Sequence, residues 1–364
     1  MKARTGATRT VAMGLKGRGA AENPQNRFER LARESFDDGW ESEGEDRGAL
    51  RTQVTLTQAR SIISRNDSPD IPFSQSINPY QGCEHGCVYC YARPSHAYLG
   101  LSPGLDFETK LFAKANAAQL LRVELSRPGY RCEEIALGSN TDPYQPIERK
   151  YKITRAILEV LSECNHPLGI VTKSALVERD IDLLAPMAKK GLAHVYVSIG
   201  TLDHELMRVL EPRSAAPARR LETLRALAAA GIPCGVLVAP VIPVLNDRDM
   251  EAVLERASAN GASMAGYQIL RLPYELKTLF KNWLERHYPL KAAHVMSQIR
   301  QMRGGRESDP RFGKRMTGEG IFADLQENRF RLACERHGFG LRGHATLDTT
   351  RFTPPNTDGQ LSLF

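Results

Sequence analysis

Three cysteines crowd into the stretch "GCEHGCVYCY" and are the residues best suited to chemistry. Cys83, Cys87 and Cys90 have the spacing C-x3-C-x2-C and directly follow the first predicted strand of a β/α region. Three closely spaced thiolates on one loop can bind three irons of a cubane iron–sulfur cluster. Because the loop offers no fourth cysteine, one iron would remain open to a ligand. The spacing therefore predicts a [4Fe-4S] centre with one open iron.

A structural zinc site is the alternative, with His85 as the fourth ligand. Zinc sites usually present paired C-x2-C hooks and four closed ligands, and this sequence has no second hook. The remaining cysteines stand singly and are expected to be ordinary buried or partly buried thiols: Cys132, Cys164, Cys234 and Cys334. An odd total of seven cysteines favours a reduced compartment, the cytoplasm, over a disulfide framework.

With Tyr89 before its last cysteine, the loop resembles the signature of the radical S-adenosylmethionine (radical SAM) superfamily. "VYCYARPSH" looks most like the bacterial proteins labelled DNA-repair photolyases, relatives of spore photoproduct lyase, and the resemblance covers roughly residues 76–273. It implies a [4Fe-4S] cluster whose open iron is chelated by S-adenosylmethionine. One electron from the cluster, fed by a reductase or flavodoxin-type donor, then breaks a carbon–sulfur bond. The resulting 5'-deoxyadenosyl radical removes a hydrogen atom from the substrate, while the protein supplies positioning and exclusion of water and oxygen.

Six short apolar runs must position this loop, and they alternate with amphipathic stretches between residues 76 and 273. The predicted strands are "SQSINPYQG", "EEIALGS", "LGIVTKS", "AHVYVSIG", "CGVLVAPVI" and "MAGYQILRL". Six β-α units predict a parallel sheet in an α/β fold, and their even repeat favours a partial (β/α)6 barrel of the radical SAM type. A doubly wound open sheet is the competing architecture, but no G-x-G-x-x-G follows any strand.

Polar residues follow several of these strands at the end where a β/α barrel places its site. The turn "GSNTDPYQP" after the second strand offers hydroxyl, amide and carboxylate groups for the cofactor's ammonium and ribose, although it is also good turn and capping chemistry. A lysine after the third strand could pair with a carboxylate. With the serine that ends the fourth strand, it matches carboxylate-binding positions of the family. The predicted cofactor-binding residues are Tyr89, Ser139, Asn140, Thr141, Asp142, Lys173, Ser198 and Ala239.

The resemblance places a catalytic tyrosine at Tyr91 but supplies no partner cysteine. Spore photoproduct lyase returns a hydrogen atom from a cysteine just after its second strand, where this chain has Ser139. A hydroxyl O–H is too strong a donor to replace it, and Cys132 lies at the opposite end of the strand. His96 and Tyr98 could face the substrate or pack the loop. "EPRSAAPARR" (Glu211, Arg213 and Arg220) is interpreted as an internal ion-pair network.

The composition is that of an ordinary soluble protein with a mild basic excess. The chain has 49 Lys and Arg against 42 Asp and Glu, a net charge of +7, which is compatible with a polyanionic partner but does not demand one. The basic stretch "RQMRGGRESDPRFGKRMTGEG" could follow a phosphate backbone or be a solvated loop. No apolar run approaches the ~20 residues that span a bilayer, so no membrane association is predicted.

The chain divides into four predicted segments. Residues 1–70 are expected to be mostly disordered, with a short helix around "NRFERLARES", and 71–273 to form the radical SAM core. Residues 274–344 are expected to form a helical extension and 345–364 a flexible tail. The last five residues resemble the peptide by which bacterial repair proteins bind the DNA polymerase sliding clamp: Gln360, Leu361, Ser362, Leu363 and Phe364.

These features leave three functional hypotheses. The first is a radical SAM enzyme acting on DNA, in repair or modification. The second keeps the chemistry but changes the substrate to RNA, a peptide or a small molecule. The third is a non-enzymatic metal-cluster protein that binds nucleic acid.

Overall fold

The computed structural model describes residues 16–29, 50–340 and 346–355. Its strands are β1 (Gln53–Thr57), β2 (Ile63–Arg65), β3 (Gln75–Ile77), β4 (Tyr80–Gln81), β5 (Lys110–Lys114), β6 (Ile135–Leu137), β7 (Leu168–Thr172), β8 (Ala193–Ser198), β9 (Cys234–Val241) and β10 (Met264–Ile269). Its helices are α1 (Asp106–Thr109), α2 (Ala117–Leu125), α3 (Glu148–Tyr151), α4 (Ile153–Glu163), α5 (Ile181–Lys189), α6 (His204–Leu210), α7 (Pro217–Ala229), α8 (Met250–Ala259), α9 (Leu276–His287), α10 (Pro289–Gln301) and α11 (Ile321–His337).

Six parallel strands form the centre of the fold in the order β3-β6-β7-β8-β9-β10. Parallel neighbours need crossover connections, and the helices α4, α5, α7 and α8 lie between successive strands in the chain. Strand β2 pairs antiparallel with β3 at one edge, and β10 forms the other edge. The strands follow one another in chain order without the reversal that defines a doubly wound sheet. The predicted partial (β/α)6 barrel is therefore confirmed.

The central barrel strands β6–β9 are mostly apolar because both of their faces are covered. Ile170, Val195, Val197 and Val236 are completely buried. The helices contribute equally buried leucines to the outer layer of this core, for example Leu224 of α7. This rigid layer holds the carboxyl ends of the strands in one place, where the loops that follow can form a site.

Residues beyond the barrel form the predicted helical extension. The first two of its helices, α9 and α10, pack their apolar residues against the side of the cysteine loop that carries Val88 and Tyr89. The third, α11, packs against α8. Within the described residues, no helix is long and apolar enough to cross a membrane.

The amino-terminal segment is more structured than the sequence suggested. Residues 16–29 lie against the cysteine loop, and strand β1 pairs with β5 in a second, three-stranded sheet. Hydrogen bonds and a buried arginine hold this segment in place, although its composition gives little periodicity. The expectation of disorder is therefore wrong for these residues. Residues 1–15 and 30–49, with most of the expected helix around "NRFERLARES", lie outside the described residues.

The tail is anchored to the barrel over part of its length. The amide of Asp348 donates to the carbonyl of Gly191 at 2.9 Å, and the amide of Thr353 donates to Cys164, also at 2.9 Å. The ring of Phe352 contacts the rings of His166 and Tyr130 with centroids 5.2 and 5.5 Å apart. Residues 346–355 are thus not a free tether, because backbone hydrogen bonds and an aromatic contact hold them. The terminal peptide 360–364 lies outside the described residues.

Candidate functional site

The cysteine loop lies between β4 and a 3-10 helix, Arg93–Leu99. Cys83 and Cys87 are each 7% exposed, Cys90 is half-buried, and all three are free thiols. The loop is wound tightly, since the amide of Cys90 donates to Cys87 at 3.2 Å. The amide of Cys83 donates to the carbonyl of Phe107 at 2.9 Å, which joins the loop to α1. The three sulfurs are therefore brought to one buried face of the fold.

The chemistry of these thiols fits an iron–sulfur cluster better than zinc. Burial raises the pKa of Cys87 to about 12 and that of Cys83 well above its usual value, so each thiolate needs a neighbouring positive charge. Among the residues that the structure describes, no three His, Cys, Asp or Glu side chains are grouped as ligands of a single metal ion. A cubane instead binds each thiolate through a different iron, so its ligands need not meet at one point. His85, the proposed fourth zinc ligand, lies against Asp142 with Nδ1 3.3 Å from Oδ2.

A buried arginine fixes the path of the loop. Arg93 is completely buried, and its Nε donates to the carbonyl of Cys87 at 2.8 Å. Nη2 donates to the carbonyl of Gly86 at 3.0 Å and to the carboxylate of Glu108, which is also completely buried. The cysteine spacing identifies the predicted ligands, whereas the ion pair between Arg93 and Glu108 fixes the backbone of the loop that carries them. Sequence reasoning missed both residues, because a lone arginine and a lone glutamate carry no motif.

The same carboxylate binds the amino-terminal segment. Its two oxygens accept hydrogen bonds from the amides of Gly19 at 3.0 Å and Ala20 at 2.8 Å. A Cβ atom at Gly19 would lie 1.8 Å from the carbonyl oxygen of Gly86, so only glycine allows this segment to lie on the cysteine loop. Glu108 thereby joins two chain segments about ninety residues apart, which explains why residues 16–29 are ordered.

The turn after β6 is mostly occupied by its own structure. Asp142 accepts hydrogen bonds from the hydroxyl of Thr172 at 2.7 Å, from the amide of Lys173 at 2.8 Å and from the amide of Tyr144 at 2.9 Å, and His85 faces its remaining position. Burial opposes its ionisation, but His85 and these donors lower the pKa of Asp142 to about 2. A carboxylate has about four acceptor positions, so Asp142 has none left for a cofactor.

Thr141 is likewise engaged, whereas its neighbours are available. The buried hydroxyl of Thr141 donates to the carbonyl of Tyr80 at 2.9 Å. Ser139 exchanges hydrogen bonds with Asn78, and within the described residues the side-chain amide of Asn140 has no hydrogen-bond partner. Thr141 and Asp142 thus build the turn, whereas the side-chain amide of Asn140 is free among the described residues and Ser139 bonds to Asn78.

Lys173 is a cation of this site that has no partner among the described residues. Its side chain is half-buried, and within the described part of the chain its ammonium makes no hydrogen bond and no ion pair. Burial alone would lower the pKa of Lys173, but Cys87, Glu211 and Asp142 together raise it. A desolvated ammonium that stays charged and unpaired is suited to binding a carboxylate. This arrangement agrees with the role that the sequence assigned to Lys173.

The remaining predicted cofactor contacts surround a buried ion pair. Arg220 and Glu211 pair with each other, and the phenol of Tyr89 donates to Glu211. Burial opposes the ionisation of Glu211, but Arg220, Lys173 and Tyr89 lower its pKa to about 2. Arg220 also donates to the carbonyl of Ser198 at 2.7 Å, which fixes the end of β8. Two of the three residues read as an ion-pair network from "EPRSAAPARR", Glu211 and Arg220, thus pair with each other, whereas Arg213 pairs with Glu84 at 3.2 Å.

Ser198 and Ala239 lie side by side at the ends of β8 and β9. The hydroxyl of Ser198 is buried and donates to the carbonyl of Ala239 at 3.2 Å. Its hydrogen-bonding capacity is thus partly used, and Ala239 is half-buried. The two residues meet as the barrel topology predicted.

Tyr91 lies between the cysteine loop and the turn after β6. Its phenol donates to the carbonyl of Ser139, while Cys132 lies before β6 at the opposite end of that strand. The ring is 43% exposed, yet the dense surroundings raise the pKa of Tyr91 to about 12, against the opposing charges of Arg271 and Lys173. The phenol is therefore neutral at pH 7. The structure brings Tyr91 and Ser139 together and leaves Cys132 apart.

The two residues of "PSHAYLG" that the sequence left undecided have different environments. His96 is completely buried, its Nε2 lies 2.9 Å from the carbonyl of Lys110, and its ring contacts Phe107 and Phe112. It therefore packs the loop. Tyr98 is 74% exposed and therefore faces solvent. Its ring contacts the ring of Phe28, with centroids 5.3 Å apart.

We expect Lys173→Met to weaken binding of S-adenosylmethionine by roughly 10- to 100-fold, since a charge-assisted hydrogen bond is worth about 1.5–3 kcal/mol. Equilibrium dialysis with the cluster-loaded protein would measure it. Lys190→Met is the matched control, because Lys190 is exposed, binds Asn165 at 2.7 Å and lies at the other end of the barrel. If the Lys173 variant and the native chain bind S-adenosylmethionine with equal affinity, Lys173 does not bind its carboxylate.

Comparison with known protein families gives one match. A model described as the radical SAM superfamily matches residues 77–257, which contain the cysteine loop and the strands β4–β9. The described site residues of the loop, the turn after β6 and the ends of β7–β9 all fall within the matched range.

Relatives extend across distant organisms. An uncharacterized protein of Mycobacterium tuberculosis is 41% identical over 234 residues, 64% of this chain and 68% of that protein. An uncharacterized protein of Methanocaldococcus jannaschii is 29% identical over 239 residues, 66% of this chain and 85% of that protein. A radical SAM Nα-GlyT isomerase of Pseudomonas phage M6 is 26% identical over 194 residues, 52% of this chain and 38% of that protein.

Among solved structures, spore photoproduct lyase has a similar fold. Its complex with a dinucleoside spore photoproduct superimposes with a TM-score of 0.55 at 18% identity, over 80% of each chain. A second structure, with bound S-adenosylmethionine as well, gives the same values. At this identity the likeness concerns the fold alone.

Proposed function

Because the chain belongs to the radical SAM superfamily, we propose that it is a radical enzyme acting on DNA, in repair or in modification. The superfamily uses a [4Fe-4S] cluster and S-adenosylmethionine. When bound, these groups supply reductive cleavage of a carbon–sulfur bond and a radical that removes a hydrogen atom from the substrate. The protein itself binds, orients and shields the reactants.

Different residues of this chain would bind the cluster, the cofactor and the substrate. Cys83, Cys87 and Cys90 would hold the cluster, and Lys173 would bind the carboxylate of the cofactor. Ser139 and Asn140 would contact its polar groups, while the backbone of Tyr89 and Ala239 would border its adenine. Tyr91, neutral and exposed to the open space, would face the substrate. Electrons would come from an external reductase or flavodoxin-type protein.

The observation that carries the DNA assignment is a group of exposed aromatic side chains beside the cysteine loop. Phe28, Tyr98 and Tyr274 are 54%, 74% and 64% exposed and surround the guanidinium of Arg27 at 4.5–5.0 Å. Exposed aromatic rings with interleaved arginine are the surfaces on which unpaired bases stack. Tyr98 belongs to the 3-10 helix that begins three residues after Cys90, so a stacked base would lie close to the site.

The fold likeness gives further support. Spore photoproduct lyase has been solved with a dinucleoside lesion, and its fold covers four-fifths of this chain. The absence of a matching cysteine after β6 argues against the same hydrogen-return step, because Ser139 occupies that place. The proposal is therefore DNA chemistry that does not depend on a thiol at that position.

One assay separates DNA from the other substrate classes. The protein is reconstituted anaerobically with iron and sulfide, and reduced with dithionite in the presence of S-adenosylmethionine. Ultraviolet-irradiated DNA, undamaged DNA and RNA are added separately, and 5'-deoxyadenosine is measured by chromatography. Formation stimulated by DNA alone supports the proposal. Stimulation by RNA alone would move the substrate to RNA, and no stimulation by any nucleic acid would favour a peptide or a small molecule.

We also propose that the carboxyl-terminal peptide binds the DNA polymerase sliding clamp. The anchored residues 346–355 contact segments that precede β7 and β8, so the tail leaves the barrel at the end opposite the candidate site. A clamp bound there would leave the site open to DNA. The peptide offers a glutamine and two apolar anchors to a groove on another protein.

A chain ending at Gly359 should lose clamp binding measured by surface plasmon resonance, whereas Ser362→Ala, which keeps both apolar anchors, should retain it. The apolar residues supply most of the buried area, so their removal has the larger effect. Equal clamp binding by the full and shortened chains, or none by either, would contradict this proposal.

A further inference from the structure

Arg271 is a cation at the mouth of the barrel that the structure does not neutralise. It lies two residues beyond β10, is half-buried, and its guanidinium stands 5.6 Å from the ring centre of Tyr91. Its one hydrogen bond to the described residues is a weak donation to Sδ of Met316 at 3.5 Å. In those same residues no carboxylate lies within ion-pair distance of Arg271.

The nearest acid is already occupied. Asp70 pairs with Arg315 and also accepts a hydrogen bond from the amide of Gly313 at 2.6 Å. Arg303, buried beside Arg271, donates to the carbonyls of Leu270 at 2.9 Å and Lys314 at 2.6 Å. The two acids near these three guanidinium groups are both already paired with arginines, Asp70 with Arg315 and Asp309 with Arg311.

The pKa values agree with a surplus of positive charge. Burial and then the charge of Arg315 lower the pKa of Arg271, and burial and then the charge of Arg271 lower the pKa of Arg303 to about 10. The neighbouring basic stretch differs, because Arg311 pairs with Asp309 at 2.6 Å and with Glu319 at 2.8 Å. Arg311 and Lys314 of that stretch are thus paired with carboxylates, whereas Arg271, outside it, has no carboxylate partner among the described residues.

A desolvated cation without an anion costs stability, so a purely structural role does not account for its place. The guanidinium of Arg271 lies over the ring of Tyr91, with Cζ 5.6 Å from the ring centre. In the proposed function Lys173 binds the carboxylate of S-adenosylmethionine. Arg271 is then available to bind an anionic group of the substrate. Guanidinium binds phosphate oxygens in a planar, two-point geometry.

We propose that Arg271 is a phosphate-binding residue that holds a backbone phosphodiester of the substrate beside Tyr91. This inference rests on the proposed function, since it takes nucleic acid as the source of the phosphate. A phosphate group of a small molecule would use the same contact. The site would fix one nucleotide relative to the cysteine loop while the exposed aromatic group binds neighbouring bases.

Three variants test it in the cluster-loaded protein: Arg271→Gln, Arg271→Lys and the control Arg331→Gln. Arg331 is exposed and pairs with Glu335 at 2.8 Å, so the control removes the same charge elsewhere. Inorganic pyrophosphate is titrated by calorimetry, and a fluorescent single-stranded thymidine oligonucleotide by anisotropy at several KCl concentrations.

Arg271→Gln should weaken oligonucleotide binding by roughly 10-fold or more and reduce the slope of log affinity against log salt by about one. Arg271→Lys should restore the slope but not the full affinity, because a lysine lacks the planar fork. The thermal midpoint of Arg271→Gln should equal or exceed that of the native chain, since an unpaired buried charge is removed. A merely structural arginine would instead lower the midpoint and leave the salt slope unchanged.

The two probes keep this inference separate from the proposed function. Pyrophosphate binding that is lost in Arg271→Gln, without oligonucleotide binding by the native chain, would support the phosphate site and overturn the DNA assignment. Oligonucleotide binding with an unchanged salt slope in Arg271→Gln would overturn the phosphate site and leave the DNA assignment standing. No binding of either probe by the native chain would overturn both.

Discussion

Replacing Cys87 with alanine is expected to abolish both cluster binding and formation of 5'-deoxyadenosine. Cys87 is 7% exposed, and burial holds its pKa near 12, so its thiolate exists only when iron replaces the proton. Two cysteines alone would leave two irons of the cube without protein ligands. Iron and sulfide per chain, the visible absorbance of the cluster and the deoxyadenosine yield should all fall to background.

Cys132→Ala is the matched control for this experiment. Cys132 is a half-buried free thiol in the loop before β6, at the opposite end of the strand from Tyr91. Its removal should leave iron content and deoxyadenosine yield near those of the native chain. Turnover retained by Cys87→Ala, or lost equally in both variants, would contradict the assignment of the ligands.

Replacing Glu108 with glutamine is expected to lower the free energy of unfolding by about 3–5 kcal/mol, the usual cost of removing one partner of a buried ion pair. Arg93 would remain completely buried without its carboxylate. The amides of Gly19 and Ala20 would also lose one of the two oxygens that accept from them, because an amide side chain offers a donor there. Urea unfolding of the reduced, cluster-free protein would measure the change.

Iron content provides a second measurement for this variant. Arg93 holds the carbonyls of Gly86 and Cys87, so loosening it should reduce the cluster bound per chain even where the fold persists. Glu163→Gln is the control, since Glu163 is exposed and pairs with Arg122 on the surface, and it should change stability by less than about 0.5 kcal/mol. An unchanged unfolding midpoint in Glu108→Gln would show that the buried pair is dispensable.

Much of the fold could be predicted from periodicity. Strands β3 and β6–β10 fall within the six predicted runs, and β6–β9 gave the clearest signal because strands covered on both faces are mostly apolar. The helices α9–α11 fall within the predicted extension for a similar reason, since each needs a continuous apolar stripe. Residues 16–29 gave no such signal, because glycine, arginine and asparagine hold them through backbone contacts to Glu108 and through an ion pair with Glu275.

The position of the candidate site could be predicted from the sequence, but which of its side chains remain free to bind a ligand could not. Parallel topology places the ends of β6, β7 and β8 together, so Ser139, Lys173 and Ser198 could be grouped from the order of the strands. Hydrogen bonds and ion pairs within the folded protein then decide which of these side chains remain free to bind a ligand. Asp142 is used up by Thr172 and by the amide of Lys173, whereas the ammonium of Lys173 is left without a partner in the described structure.

The sequence by itself determined the ligand chemistry, since the spacing of three cysteines is a local property of ten consecutive residues. It also determined the barrel, since periodicity along the chain reports burial. Only the tertiary structure decided which charges are balanced. Glu108 meets residues about ninety positions away, and Arg271 finds no carboxylate in the described part of the chain because Asp70, 201 positions before it, is bound to Arg315. Charge compensation depends on distances through space, which no short stretch of sequence encodes.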